Sequence, residues 1–202
     1  MKFKFLLLII HFIFSQNTEI VDTLDIKNIG YDKKIIIKTI KTWQQFSYSD
    51  DKRNCQFSPS CSNYFALSVF NHNTYFGIIK GCDRILRCNV FAQEYHKKNT
   101  FNPQYSSDGR MVDSINPNYN PKLSKNIITP IFLSIIPGVG RMYSGRFFDG
   151  LFSFSTIMLI TQAAYIQYNN GNFYLSYSMA TISFTLWLSD FYGAYRSAKL
   201  AK

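Results

Sequence analysis

Residues 55–88 read CQFSPSCSNYFALSVFNHNTYFGIIKGCDRILRC. This stretch holds all four cysteines of the chain, Cys55, Cys61, Cys82 and Cys88. Pro59 lacks an N–H group and suits the start of a helix, which we expect to run to about residue 70. The residues at 71–73, Asn-His-Asn, break it, and apolar residues at helical spacing predict a second helix over about 75–88. The stretch therefore predicts a small helical core that contains the cysteines.

The cysteine spacing leaves three interpretations open. Disulfide bonds would follow from an oxidising compartment, and four cysteines allow three pairings. A bond between Cys82 and Cys88 is disfavoured, because six residues of regular helix rise about 9 Å. Zinc fits less well, because five residues separate the members of each pair and structural zinc sites favour two to four. Reduced, buried thiols are the third interpretation.

A helix that precedes the core is predicted over residues 33–48, with Asp32 as a candidate cap. Its isoleucines and aromatic residues recur every three or four positions, opposite a lysine-rich face. Such a helix suits a membrane surface or the packing face of its own domain. The residues with candidate lipid or partner contacts are Lys34, Lys38, Lys41, Trp43, Lys80, Arg84 and Arg87.

The core closely resembles the YidD family of membrane protein insertion efficiency factors. The resemblance covers roughly residues 35–88, where Trp43-Gln44 stands in place of a Tyr-Gln pair. Its motif residues here are Cys55, Phe57, Pro59, Ser60, Cys61, Ser62, Tyr64, Gly77, Arg84, Arg87 and Cys88. It implies a small basic protein on the inner face of the membrane that assists the Sec/YidC insertion route without enzymatic activity. Gln56 departs from the family's usual Arg, Cys82 is additional, and the family's Pro- and Gly-rich tail is replaced.

Residues 1–15, MKFKFLLLIIHFIFS, are typical of a signal peptide or an N-terminal anchor, because two lysines precede a short apolar run. Export would place the core, expected over residues 33–96, in an oxidising compartment. Repeated Asn-Pro pairs predict a linker over residues 97–126. Residues 127–202 are expected to form a membrane domain with two or three spans.

The membrane domain is predicted to contain a transmembrane helical hairpin, over residues 147–168 and 173–195. Basic residues flank both ends and the turn carries no charge, so the positive-inside rule places the ends in the cytoplasm. A third span at residues 127–139 would put the core outside, which is the slightly favoured side. The Pro-Gly-x-Gly-x-x-Tyr-x-Gly pattern from Pro137 to Gly145 resembles TM2 and DUF5683 membrane domains. Asp149 and Asp190 are expected to pair with Arg146 and Arg196.

The sequence thus predicts an all-α bacterial protein of the cell membrane, with lipid, insertion machinery and nascent membrane proteins as partners. No catalytic group, cofactor or metal is predicted, since the chain has no recognisable catalytic constellation. The net charge of +10 over 202 residues is spread out, which argues against a nucleic-acid partner. The main alternative is an exported envelope protein with a disulfide-stapled core. A thiol oxidoreductase would need a Cys-x-x-Cys pair, and a cytolytic helix is a further alternative.

Overall fold

The computed structural model describes residues 24–47, 55–99, 103–117 and 126–200. The predicted all-α class is confirmed for these residues. The helices, in chain order, are α1 (Tyr31–Ser47), α2 (Cys61–Asn71), α3 (Thr74–Arg87), α4 (Ala92–Asn99), α5 (Ile128–Leu133), α6 (Val139–Tyr143), α7 (Phe147–Asn169) and α8 (Phe173–Leu200). Two short strands, β1 (Phe57–Ser58) and β2 (Met111–Val112), pair in parallel.

The three helices predicted around the cysteines are present within two residues of their expected limits. Helix α1 packs through Ile37 against Ala66 and Val69 of α2. Asp32 lies inside the first turn of α1, not before it, and accepts a hydrogen bond from Thr74. The break between α2 and α3 falls where Asn73 caps α3 by accepting a hydrogen bond from the Tyr75 N–H at 3.0 Å.

Helices α2 and α3 approach each other closely at Gly77. A Cβ atom built there would lie 2.6 Å from the Val69 Cα and 2.7 Å from the Ser68 carbonyl oxygen. Only a residue without a side chain fits at this distance, because both neighbours are backbone atoms. Gly77 therefore sets the spacing of α2, which begins with Cys61, and α3, which Cys88 follows.

Residues 103–117, expected as part of a linker, pack against the cysteine core. Met111 is buried with Phe57 and Ala92, and its N–H donates to the Gln56 carbonyl oxygen at 2.9 Å. Asp113 follows β2 directly, and its N–H donates to the Ser58 carbonyl oxygen at 3.0 Å. This part of the segment does not separate two modules, since it completes one of them. The domain limits stay a prediction.

The segment at residues 127–139 does not form a spanning helix. Helix α5 has six residues, which rise about 9 Å, against a hydrocarbon layer of roughly 30 Å. Gly138 has a φ of 80° and precedes α6, as the predicted break requires. A Cβ atom at Gly138 would also meet the Gly150 carbonyl oxygen at 2.0 Å, so the turn lies directly on α7.

Helices α7 and α8 are antiparallel neighbours joined by a short turn at Asn170–Asn172. Judged by length and composition, α7 is the one helix in the described ranges that could cross a bilayer. Its 23 residues rise about 35 Å. A helical hairpin is therefore present, while its transmembrane character stays a prediction. The expected signal or anchor at residues 1–15 lies outside the described residues.

Candidate functional site

Three of the four cysteines meet at one place. The sulfur atoms of Cys55, Cys61 and Cys88 all lie within 4.8 Å of one another, and those of Cys55 and Cys61 are 3.5 Å apart. Cys55 precedes β1, Cys61 opens α2 and Cys88 follows the last residue of α3. The chain therefore supplies the three thiols from three different elements, and each is half-buried.

The three thiols share their hydrogen bonds. The contact with Cys61, and then that with Cys88, lowers the pKa of Cys55, while the contact with Cys55 raises the pKa of Cys61. The Cys61 N–H also donates to the Cys55 sulfur at 3.3 Å. Because the three groups share these contacts, their titrations are linked and belong to the cluster as a whole.

Cys82 lies apart from this cluster. It packs beside Leu86, Ile157 and Leu186, where α3 meets the helical hairpin. Burial, followed by the charge of Asp83, raises the pKa of Cys82 to about 12. The cysteines therefore divide three to one, in contrast to the two pairs that their spacing along the sequence indicates. All four are thiols in this structure.

A buried ion-pair network lies next to the cysteine cluster and is centred on Asp113. Its carboxylate lies 3.1 Å from Arg84 Nε, 2.9 Å from Arg87 Nη1 and 2.5 Å from Arg196 Nη2. Burial alone would raise the pKa of Asp113, but the charges of Arg196, Arg87 and Arg84 hold it well below its usual range. Asp113 is therefore a fixed anion that joins α3 to the end of α8.

The network continues through Asp83 and Arg141 into the C-terminal helices. Arg87 Nε lies 2.8 Å from Asp83, whose other oxygen lies 2.8 Å from Arg141 Nη2. Arg141 Nε in turn lies 2.6 Å from Asp190 of α8. Gly193 makes room for this arginine, because a Cβ atom there would meet its guanidinium group at 2.0 Å.

Of the two predicted ion pairs in the hairpin, that of Asp149 is confirmed and that of Asp190 is wrong. Asp149 pairs with Arg146 at 2.5 Å, as expected, and also accepts from Asn89 at 2.6 Å. Asp190 pairs with Arg141 rather than Arg196, because Arg196 reaches Asp113. Both aspartates are fully buried, so neither points to an interface with water.

The structure corrects the predicted basic contact surface on α3. Arg84 and Arg87 are buried, with 0% and 2% of their surface exposed, because carboxylates from distant segments cover them. The Arg84 guanidinium carbon lies 3.4 Å from the centre of the Phe57 ring. Lys80 is also buried, and its ammonium group donates to the Ile115 carbonyl oxygen at 3.1 Å. These three side chains support the fold and do not form an exposed surface.

On α1, in contrast, the candidate contact residues are accessible. Trp43 is 65% exposed and Lys38 is exposed, while Lys34 and Lys41 are half-buried. Gln44 lies on the other face of the helix, where its amide donates to Ser62 and to Asn63, each at 2.9 Å. A contact of the exposed face with lipid or a partner stays a prediction.

The other motif residues are brought together around the cysteine cluster. Tyr64 is fully buried beside Arg84, and the Pro59 carbonyl oxygen accepts from Arg84 Nη2 at 3.4 Å. Ser60 occupies the position before α2. Sequence reasoning missed Asp83 and Asp113. The available signal was the arginine pair on α3, since two buried guanidinium groups need carboxylates.

A polar cavity of about 510 Å³ adjoins the network. Its lining includes Arg87, Arg146, Arg196, His96 and Asp113. Burial lowers the pKa of His96. Each of the three arginines already has a carboxylate partner, so the cavity is less positive than its arginines alone would make it.

Residues 32–98 match the family model described as "Putative membrane protein insertion efficiency factor", YidD. A relative of that name from Thermotoga maritima is 39% identical over 61 residues, which cover 30% of this chain and 75% of the relative. A second, from Aquifex aeolicus, is 36% identical over 59 residues, or 29% of this chain and 87% of the relative. The chain belongs to the YidD family. No solved structure matches it.

The YidD match spans α1 to α4 and so includes the whole cysteine cluster. It ends before Asp113, Arg141 and Arg196, which complete the charge network from outside the matched range. The YidD resemblance seen in the sequence is therefore confirmed. The resemblance of the C-terminal part to TM2 and DUF5683 domains stays a prediction.

Proposed function

We propose that this protein is a membrane-associated, non-enzymatic accessory factor that promotes the insertion or assembly of other membrane proteins. The observation that carries the proposal is the identity with relatives named as insertion efficiency factors, over three quarters or more of their length. The matched residues form one folded unit around the cysteine cluster, as expected if this unit and the relatives have a common ancestor.

Membrane attachment through the α7–α8 hairpin is supported by how its polarity is arranged. The contact between the helices uses small and hydroxyl residues: Ser176 donates to the Ala164 carbonyl oxygen at 2.8 Å, and Thr161 and Ser183 lie 2.7 Å apart. Large apolar residues face outward, among them Leu159 at 70% exposure and Phe184 at 55%. Helix pairs in lipid have this arrangement, because their outer surface meets hydrocarbon and their contact depends on close packing.

The YidD-like unit sits at the base of this hairpin, away from its turn. Asp190 and Arg196, near the end of α8, belong to the charge network that also includes α3. Asp149, near the start of α7, accepts a hydrogen bond from Asn89 just beyond α3. If the hairpin spans the bilayer, the unit lies on the side of the hairpin ends. The positive-inside rule assigns that side to the cytoplasm, and Sec/YidC machinery and nascent membrane proteins become candidate partners.

The function is tested by depleting the protein from cells that make it and following a multi-spanning reporter by protease protection. We expect less reporter to become membrane-inserted, with recovery when the full chain is supplied again. A secreted protein without a membrane span serves as the control for general export. Unchanged insertion of several such reporters after complete depletion would overturn the proposal.

The exposed face of α1 is the candidate contact surface within this function. A variant with Trp43→Ala and Lys38→Ala removes an exposed aromatic and an exposed charge without touching the buried face. We expect it to fold normally and to restore less reporter insertion than the wild type does. Gln45→Ala on the same helix is the matched control.

A further inference from the structure

The three clustered thiols have the geometry of a metal-binding group. Zinc binds thiolate sulfur at about 2.3 Å in tetrahedral sites, which puts neighbouring sulfurs roughly 3.8 Å apart. The Cys55 and Cys61 sulfurs are 3.5 Å apart, and all three lie within 4.8 Å. Small side-chain rotations would therefore bring the three sulfurs around one ion.

The positions of the three cysteines are fixed by the fold around them. Cys88 directly follows α3, and its N–H donates to the Ile85 carbonyl oxygen at 3.1 Å. Cys61 opens α2, while Cys55 and Cys88 pack against the apolar cluster of Phe57, Ala92 and Met111. Thiols held on rigid elements favour binding, because little ordering is needed when the ion arrives.

Charge also favours an occupied site. Three thiolates with one divalent ion carry a net charge of −1. Arg84 is the arginine whose charge acts on Cys61 and Cys88. Its positive charge has the right sign to offset the negative charge of a zinc–trithiolate unit.

We propose that Cys55, Cys61 and Cys88 bind one thiophilic metal ion, with zinc as the ion to test. Soft thiolate ligands select zinc or copper(I) over harder ions. The spacing that argues against zinc in the sequence pairs Cys55 with Cys61 and Cys82 with Cys88. In the structure Cys82 is not needed, because the third ligand is Cys88 from just beyond α3. The Cys55 and Cys61 sulfurs lie 3.5 Å apart in spite of the five residues between them.

A groove next to Cys88 could admit the fourth ligand of the proposed metal ion. Cys88 also lines a groove of about 520 Å³, together with Val90, Phe91, Phe148 and Phe152. Phe91 and Phe148 stack there with ring centres 3.9 Å apart. Among the described residues, no further histidine, cysteine, aspartate or glutamate joins the three sulfurs. Water or a ligand that enters this groove would complete the coordination.

Metal content of the full-length protein tests the proposal. The protein is purified in detergent under reducing conditions, equilibrated with zinc and freed from unbound metal by gel filtration. We expect one zinc ion per chain in the wild type and in Cys82→Ser, and its loss in Cys55→Ser, Cys61→Ser and Cys88→Ser. Cobalt(II) should give thiolate-to-metal charge-transfer absorption in the first two proteins alone.

Alkylation of the wild type separates a binding defect from a folding defect. Peptide mapping should show that zinc protects Cys55, Cys61 and Cys88 from a maleimide, and that the labelling of Cys82 does not depend on zinc. Absence of bound zinc in the folded wild type would overturn the proposal. So would equal protection of all four thiols, or a disulfide among the three cysteines that survives in the reduced preparation. None of these results bears on the insertion role.

Discussion

At the scale of single residues, Asp113 takes part in a buried ion-pair network that the sequence around it does not indicate. It lies in a polar segment rich in Asn and Ser, and yet three guanidinium groups surround it. Removal of one partner from a buried ion pair leaves the other charge uncompensated, which costs more than the pair contributes. Arg84 and Arg196 depend on this carboxylate in that way, while Arg87 also pairs with Asp83.

Asp113→Asn should therefore lower the free energy of unfolding by about 3–5 kcal/mol. The amide keeps the size of the side chain but removes the negative charge beside three buried arginines. Thermal unfolding of the purified protein in detergent, followed by circular dichroism, measures the loss. Asp108→Asn is the control, because Asp108 is exposed in the same segment and pairs only with Arg110 among the described residues. Equal melting temperatures for the two variants would contradict the role given to Asp113.

At the scale of helices, the approach of α2 and α3 depends on a single position. The atoms that a side chain at Gly77 would meet belong to the backbone of α2 and cannot rotate away. At Gly81, one turn later, the obstacle is the ring of Phe65, which is a side chain that can move. The two glycines of the same helix therefore differ in how much a methyl group would disturb.

Gly77→Ala should destabilise the protein by about 1–3 kcal/mol through overpacking. The gain in helix propensity of up to about 1 kcal/mol is smaller than that loss. Gly81→Ala should cost less, and unfolding by urea in detergent compares the two. If Gly81→Ala proves less stable than Gly77→Ala, the close contact between the backbones of α2 and α3 is not what limits side-chain size on this face of α3.

The helical hairpin can be tested at an outward-facing position. Leu159 lies near the middle of α7 and is 70% exposed. In lipid, Leu159→Lys should oppose membrane insertion by about 2.5–3.5 kcal/mol. The measurement is the fraction of α7 inserted in a reporter that is modified differently on the two sides of a membrane, with Leu159→Met as the control. An equal inserted fraction for Leu159→Lys and Leu159→Met would contradict a contact of Leu159 with lipid.

At the scale of the whole molecule, the charge network decides how the two parts of the chain are joined. Asp83 of α3 and Asp190 of α8 share Arg141, while Asp113 and Arg196 form a second connection. The YidD-like unit is therefore fixed to the end of the hairpin opposite the Asn170–Asn172 turn. A spanning hairpin consequently places this unit and the turn on opposite sides of the bilayer.

Two introduced cysteines can test this topology: Tyr75→Cys in the YidD-like unit, where Tyr75 is 78% exposed, and Asn170→Cys in the turn. With a membrane-impermeant maleimide, we expect Asn170→Cys to label in intact cells and Tyr75→Cys only after lysis. The parent protein gives the background from the native thiols. The reverse pattern would keep the spanning hairpin but put the YidD-like unit outside, as export would require. Labelling of both positions on the same side would exclude a spanning hairpin.

The features that depend on local pattern could be predicted from the sequence. Apolar residues at helical spacing gave the positions of α1, α2 and α3, and the run of apolar residues gave α7. The breaks between helices were predicted from Asn73 and from residues 137–140, because the backbone conformation that these residues prefer is a local property. The YidD motif was also readable, since its residues lie close together along the chain.

Which distant residues contact each other could be seen only in the folded chain. Arg87 pairs with Asp113, which lies 26 positions away in the sequence, and Arg196 pairs with the same carboxylate from 83 positions away. A periodic pattern can place an arginine on a helix face, but it carries no information about the distant carboxylate that buries it. Cys88 likewise joins Cys55 and Cys61 because α3 returns beside α2. Local preferences set the elements, whereas contacts between remote segments set the charges, the thiols and the candidate metal site.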